Sequence, residues 1–360
     1  MLKQLNHKLY PAKTFFAPKW VVLGVNNVCN LHCKMCDVGT QNLESNFAQN
    51  LVGTHPINMP LELIQKIIDQ TARYFPKSQL AYAFTEPLVY PHLVESLEYA
   101  NEKGLYTTIT TNALTLPHKA EKLVNAGLNE IFVSLDGPQD IHNEIRGHKK
   151  SFQKALEGIE KLKTFKNAPK VSIICAITEW NIGHLKSFAD SFKGSGIDEI
   201  AFMHTQFTDP QMAFIHNQKW EGIYPATDSN LDMVDFYNMD LPLLMDEIKQ
   251  IRSEQYPFHI YFSPEINSEE ELDKYYMHSD QFIGKYCHAI FTSIMIKSDG
   301  SSIPAHGRCY NIDVGNIYND SLKEIWNSSV LGKFRSTVMA EGGFLPACSR
   351  CCSAFWLWRK

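Results

Sequence analysis

The sequence predicts an α/β protein: a parallel sheet covered by helices, followed by a smaller α+β module. Six apolar, β-branched runs alternate with helix-period segments between residues 20 and 203, which is the pattern of a parallel sheet. Beyond that point the alternation stops. The cysteines divide in the same way, for eight of the nine fall into one group at 29–36 and another at 287–352.

Strands are expected near 20–25, 79–84, 105–110, 130–135, 170–177 and 198–203, with helices near 60–74, 91–103, 117–126, 151–166 and 181–193. The strand runs are nearly continuous in apolar residues, as strands buried on both faces are. Residues 205–230, rich in His, Asp and aromatic groups and broken by Pro210, Gly222 and Pro225, read as too irregular for an element and long for a simple connection. Such a loop is either a substrate lid or a surface excursion. As a lid it offers His204, Gln206, His216, Trp220, Tyr224 and Asp228. Helices follow near 241–253 and 269–276, then a strand at 292–297, a turn at Ser298-Asp299-Gly300 and a helix around 322–327.

Composition narrows the function. Lys and Arg total 34 against 39 Asp and Glu, a formal charge of −5, so no basic field is present for a nucleic-acid partner. No apolar run approaches the roughly 20 residues that span a bilayer. The N-terminal residues lack an apolar export signal, and a cytoplasmic location is expected. In a reducing compartment, clustered cysteines bind metals or do chemistry more often than they form disulfides. Cys175 stands apart inside a β-branched run and reads as a small buried hydrophobe.

The N-terminal group is Cys29-x-x-x-Cys33-x-x-Cys36, directly after the first strand. A structural zinc site wants four protein ligands, and His32 is the conceivable fourth. Three thiolates on a four-iron cluster would instead leave one iron open to an exchangeable ligand.

This spacing in this place resembles the radical S-adenosylmethionine (SAM) enzymes. Phe84-Thr85-Glu86-Pro87, after the second strand, resembles the family's Gly-Gly-Glu-Pro segment, with two small residues replaced by Phe and Thr. Thr110-Thr111-Asn112 and Ser134-Leu135-Asp136-Gly137 end the third and fourth strands and resemble segments lining the SAM pocket. Arg146 resembles a basic residue that often follows them. Taken singly, each of these segments is also an ordinary turn or a solvated charge.

The resemblance implies a partial (β/α)6 barrel whose [4Fe-4S] cluster is held by Cys29, Cys33 and Cys36. SAM then binds near Glu86, Asn112, Ser134, Asp136 and Arg146. The C-terminal hairpin, helix and Cys348-x-x-Cys351 resemble SPASM and twitch appendages, which imply an auxiliary cluster. Cys287, Cys309, Cys348 and Cys351 are the expected ligands, with Cys352 as a substitute. The full SPASM pattern has seven cysteines and two clusters, so a single twitch-type cluster is the better count here. Ala305-His306-Gly307-Arg308 looks inserted and brings His306 near that cluster. A four-cysteine zinc site is the alternative.

The expected organisation is an N-terminal extension (1–18), a radical SAM core (19–204), a connecting segment (205–285) and an auxiliary-cluster domain (286–360). The expected activity is radical abstraction of a substrate hydrogen with net oxidation, because an auxiliary cluster can take the substrate's electron. A small polar metabolite such as a sugar, aminocyclitol or nucleoside is the leading substrate class. A peptide or protein side chain is the alternative, and a non-catalytic iron–sulfur or zinc protein is the reading from another class. A flavodoxin or ferredoxin is the expected reductant. Catalytic acid–base candidates are His204, His216, Tyr224, Asp228 and His306.

Overall fold

The computed structural model describes residues 2–355. The strands in chain order are β1 (Trp20–Leu23), β2 (Gln79–Tyr82), β3 (Tyr106–Thr111), β4 (Glu130–Ser134), β5 (Lys170–Ile177), β6 (Glu199–His204), β7 (His259–Ser263), β8 (Ser293–Ile296), β9 (Ser301–Pro304) and β10 (Gly315–Asn316). All ten join one sheet in the order β10-β9-β8-β1-β2-β3-β4-β5-β6-β7. Every pairing from β8 through β1 to β7 is parallel, and β9 and β10 add antiparallel. The six expected strands are present as a half-open barrel wall.

Two elements depart from the sequence reading. The segment at 205–230 is not irregular throughout: Pro210–Trp220 is an α-helix. Asp209 caps it by accepting from Met212 N at 2.7 Å, and Pro210 starts it. Its buried residues Met212, Ala213, His216 and Trp220 include a histidine, so it lacks a clean apolar stripe. The second departure is β7, a strand parallel to β6 that extends the wall beyond six units. Its residues His259-Ile260-Tyr261-Phe262-Ser263 carry polar ends and lie at the sheet edge, unlike the apolar inner strands.

The C-terminal hairpin β8–β9 does not stand apart from the barrel. Ser293–Ile296 pairs residue for residue with Trp20–Leu23. The β1 edge, a template for unwanted pairing if left bare, is thereby covered.

Sheet register sorts the side chains into two faces. Leu80, Tyr82, Ile109, Ile131, Val133, Ile173, Cys175, Ile200 and Phe202 are fully buried in the main core on the helix-covered face. Cys175 is thus the small core hydrophobe expected. Their neighbours point to the concave face, where Ala81, Thr110, Phe132, Ser134, Ile174, Ala176, Met203 and Tyr261 each keep partial exposure. The concave face is therefore lined by small and apolar groups but is not filled by them. Among described residues, no helix is long and apolar enough to cross a membrane.

Candidate active site and auxiliary metal centre

Because β1 to β8 are parallel, the segments that follow them gather on one rim of the sheet. The cysteine loop follows β1, Glu86 follows β2, Asn112 follows β3, Ser134 ends β4 and Asp136 comes just after it. The loop is held to this rim by backbone and side chain. Lys34 N donates to Ile145 O at 2.9 Å, and Asn112 Nδ2 donates to Asn30 Oδ1 at 2.8 Å.

Cys29 feels the charge of Cys36, and Cys33 feels those of both other cysteines of the loop. Burial raises Cys29 and pushes Cys33 up to about 12. Metal binding here must therefore displace protons. Arg146 supplies the compensating charge: its Nη1 lies 3.6 Å from Cys33 Sγ, and its Nε donates to Asp136 Oδ2 at 2.5 Å. Asp136 is fully buried, and its Oδ1 accepts from Ala176 N at 2.9 Å on β5. Asp136 and Arg146, expected near SAM, thus form a brace from the sheet to a cysteine.

Glu86 is likewise engaged. Oε1 accepts from Leu88 N at 2.9 Å and Thr111 Oγ1 at 2.6 Å, and Oε2 accepts from Asn112 N at 2.8 Å. Burial raises this carboxyl, and the three donors oppose the shift. The side chain clips the ends of β2 and β3 together. Two residues earlier, Phe84 holds φ +86°, a left-handed backbone that favours glycine, and the resembled motif has glycine at this position. For a bulky residue this costs roughly 1–2 kcal/mol.

Gly39 packs against the cysteine loop so closely that a Cβ would overlap the Cys33 backbone. Gly39→Ala will therefore lower by at least half the iron expected at this loop, read as iron per chain, and leave the iron expected at the C-terminal cysteines unchanged.

The second group also assembles. Cys287, Cys309, Cys348 and Cys351 line one cavity, together with Gln206, Thr208, His306, Tyr310 and Arg350. Burial raises Cys287, Cys309 and Cys348, the last to about 11. Tyr310 OH lies 3.2 Å from Cys348 Sγ. Cys352 does not line the cavity and instead sits with Cys351 and His306, their ligand atoms within 4.8 Å of one another. Hydrogen bonding from the Cys352 thiol, with His306 beside it, favours the Cys351 thiolate.

Three residues that the sequence reading did not single out hold these parts together. Arg350, inside the Cys348-x-x-Cys351 turn, is fully buried and donates to the carbonyls of Tyr275, Lys274, His278 and Gln281 at 2.6 to 3.1 Å. It caps the C-terminal end of the helix Glu269–Tyr276. Asp37, immediately after Cys36, accepts from Ser45 Oγ at 2.6 Å, Ser229 Oγ at 2.7 Å and Asn230 N at 2.5 Å, tying the loop to the 205–230 segment. Asn50, on the helix Asn46–Val52, donates to Gly307 O and Cys309 O at 3.0 and 2.7 Å. Ser45 in Ser-Asn-Phe-Ala was the available signal for that helix, as its N-cap.

The acid–base candidates scatter. His204 shares the helix-covered face with Ile177, its Nδ1 2.9 Å from Tyr276 OH, and burial lowers it to about 3. His216 accepts from Ala347 N through Nδ1, and its Nε2 faces Tyr224 O at 2.7 Å, so it is a neutral wall residue stacked on Tyr310. Tyr224 is buried between Tyr310 and Phe334. Asp228 is exposed, and only His306 reaches the cavity. Glu179, two residues after β5, has a different environment. Its Oε1 accepts from Asp235 N at 2.8 Å, while Oε2 is buried with no partner among the described residues. Burial raises its pKa, and the backbone N–H donors at Asp235 and Glu179, and more weakly Lys34 of the cysteine loop, partly offset this. Nothing in the local sequence distinguishes this glutamate from a solvated one.

The comparisons agree with this geometry. Residues 24–192 match the model of the Radical SAM superfamily, and residues 287–352 match that of the SPASM iron–sulfur cluster-binding domain. The Fe-coproporphyrin III synthase of Methanosarcina barkeri is 29% identical over 185 residues, covering 51% of this chain and 43% of the relative. The serine-type anaerobic sulfatase-maturating enzyme of Bacteroides thetaiotaomicron is 28% identical over 201 residues, covering 52% of this chain and 46% of the relative. The match thus spans less than half the length of these curated relatives. Streptococcus suis SuiB, solved with its precursor peptide SuiA, shares the fold at a TM-score of 0.60 and 19% identity, covering 92% of this chain and 71% of that one.

A Radical SAM domain implies a [4Fe-4S] cluster and SAM, and a SPASM domain implies auxiliary iron–sulfur clusters. Three thiols on the sheet rim, with Cys33 buried beside a guanidinium, suit the first cluster, and four cysteines around one cavity suit the second. The chain thus carries a Radical SAM domain at residues 24–192 and a SPASM iron–sulfur cluster-binding domain at residues 287–352.

Proposed function

We propose that the chain takes a hydrogen atom from an unactivated carbon of a peptide or protein side chain and passes the electron left on that substrate to the C-terminal cluster. The observation that carries this reading is the pairing of a three-cysteine loop on the rim with a four-cysteine cavity beside it. When bound, the SAM and four-iron pair supplies a carbon radical able to attack such a bond.

In this reading Cys29, Cys33 and Cys36 hold the first cluster, with Arg146 neutralising charge at Cys33. Glu86, Asn112 and Ser134 shape the adjoining SAM pocket. Cys287, Cys309, Cys348 and Cys351 hold the second cluster as a single four-cysteine site. Residues 19–204 form the catalytic unit and 286–360 the auxiliary unit, joined by 205–285. A flavodoxin or ferredoxin is the proposed reductant.

The substrate class rests on the concave face. Partly exposed small and apolar residues run across six strands from Ala81 on β2 to Tyr261 on β7. At about 4.8 Å per strand, this face is roughly 24 Å wide, the span of about seven extended residues. A relative named for maturing a sulfatase and a structural neighbour solved with a precursor peptide, SuiB with SuiA, support the same class.

Removal of a hydrogen atom and then an electron leaves one proton to be accepted. In this reading Glu179, two residues beyond β5 and with its Oε2 unpartnered among the described residues, takes it, as burial raises this carboxyl and makes it a stronger base. Glu179→Gln will leave SAM cleavage within about 3-fold of the parent but lower the oxidised product about 100-fold or more. The assay is anaerobic turnover with a peptide library, scoring 5′-deoxyadenosine against peptides that have lost two hydrogens. Equal loss of both products would remove Glu179 from this role.

A second reading, a small polar metabolite such as a sugar, aminocyclitol or nucleoside, is favoured by the same unpartnered carboxylate oxygen, which suits a hydroxyl group. Two-hydrogen loss in such a compound, with none in peptides, would select it.

A further inference from the structure

We propose that His306 is a positioning residue for the auxiliary cluster, donating through Nε2–H to the Cys351 sulfur and held in place by the ring of Phe84. The inference deepens the reading above and rests on Cys351 being a cluster ligand.

The imidazole is fixed on three sides. Arg308 N donates to its Nδ1 at 3.3 Å, so Nε2 carries the proton. Nε2 lies 2.8 Å from Ser353 Oγ, and His306 and Cys351 offer ligand atoms within 4.8 Å of each other. The ring stacks on Phe84 at 6.0 Å between centroids and 20° between planes. An iron-bound thiolate is a charged acceptor and competes well with the serine hydroxyl for the same proton.

This tautomer makes His306 a donor and not an iron ligand. Ligation through Nε2 would require that nitrogen to lose its proton, moving the hydrogen to Nδ1 against the Arg308 N–H. In the reading above, the four cysteines that line the cavity already supply four ligands.

The stack also joins the two sites. Phe84 belongs to the segment that leads into Glu86, and His306 borders the auxiliary cavity. Two non-glycine residues sit in left-handed backbone here, Phe84 at φ +86° and Ala305 at φ +59°. Strained backbone of this sort persists where surrounding contacts over-determine it, and it clusters at functional sites. Gly307 lies under the same ring, where a Cβ would come 3.0 Å from Phe84 Cδ1. The segment that looks inserted in the sequence is therefore what carries His306 across to Phe84.

The test uses the full chain with Cys29, Cys33 and Cys36 changed to Ala, so that the C-terminal iron is read alone. In that background, iron content, electron paramagnetic resonance and the midpoint of a redox titration are compared for the parent, His306→Ala, His306→Gln and Phe84→Ala. Removing a hydrogen bond to a cluster sulfur destabilises the reduced cluster. His306→Ala is expected to keep about four irons and to titrate at a more negative potential than the parent. His306→Gln, which keeps an N–H donor, is expected to recover most of that shift, and Phe84→Ala to show a smaller one in the same direction. An unchanged midpoint in His306→Ala, or loss of an iron from its cluster, overturns the donor role. A parent without C-terminal iron would instead defeat the cluster assignment on which the role depends.

Discussion

Alanine at Cys29, Cys33 and Cys36 together will bring reductive SAM cleavage down to the level seen without protein. Arg146 stands beside Cys33 and Asn112 holds Asn30 of the same loop, and with all three cysteines replaced no thiolate of the loop is left to hold iron. The fold should survive the change, because Asp37, Asn112 and the Ile145 carbonyl anchor the loop by contacts independent of the sulfurs. The measurement is 5′-deoxyadenosine formed under strong reduction, alongside near-ultraviolet circular dichroism. Continued SAM cleavage in the triple variant would remove the loop from the chemistry. A parent that fails to cleave SAM would instead mark the chain as a non-catalytic iron–sulfur protein.

Arg146→Met will destabilise the folded protein by about 3–5 kcal/mol, the usual cost of removing one partner of a buried ion pair. Asp136 has no exposed side-chain surface, and Arg146 is 12% exposed. Without the guanidinium, the Asp136 carboxylate keeps only the Ala176 N–H and must stay charged in the core or take up a proton. The same change removes the cation beside Cys33, so iron at the first site should fall with stability. Arg146→Lys will recover only part of the loss, since one ammonium cannot reproduce the planar fork that reaches Asp136 and Cys33 together. Urea unfolding reads the stability term, and iron per chain reads the site. Equal stability for Arg146→Met and parent would show that the pair contributes nothing net.

Much of this arrangement is legible in the sequence for simple reasons. The inner strands are buried on the helix-covered face and carry small or apolar, partly exposed residues on the other, which writes them as β-branched runs that alternate with helix-period segments. Their parallel order puts their C-terminal ends on one rim, and this is why Glu86, Asn112, Ser134 and Asp136 could be brought together from strand ends alone. The edge strand β7 was missed because His259 and Ser263 bracket too short an apolar run. The helix Pro210–Trp220 was missed because its buried side includes His216, whose two nitrogens are satisfied by the Ala347 and Tyr224 backbone.

The roles of individual side chains were the least legible part. Arg146 next to Cys33, Glu86 as a clip between strands, and Arg350 as a helix cap all depend on partners 25 to 113 residues away in the chain. No local pattern encodes such pairs. Glu179 gives the same lesson, for its unpartnered oxygen becomes visible only when the neighbouring loops are in place.

The proposed chemistry requires two iron–sulfur clusters in this chain, one for SAM and one to receive an electron. Iron, acid-labile sulfide and zinc per chain after anaerobic reconstitution test it most directly. About eight irons and eight sulfides with no zinc is the expected result for two four-iron clusters. About four irons with one zinc would make the Cys287, Cys309, Cys348 and Cys351 cavity a structural metal site and contradict the oxidative mechanism.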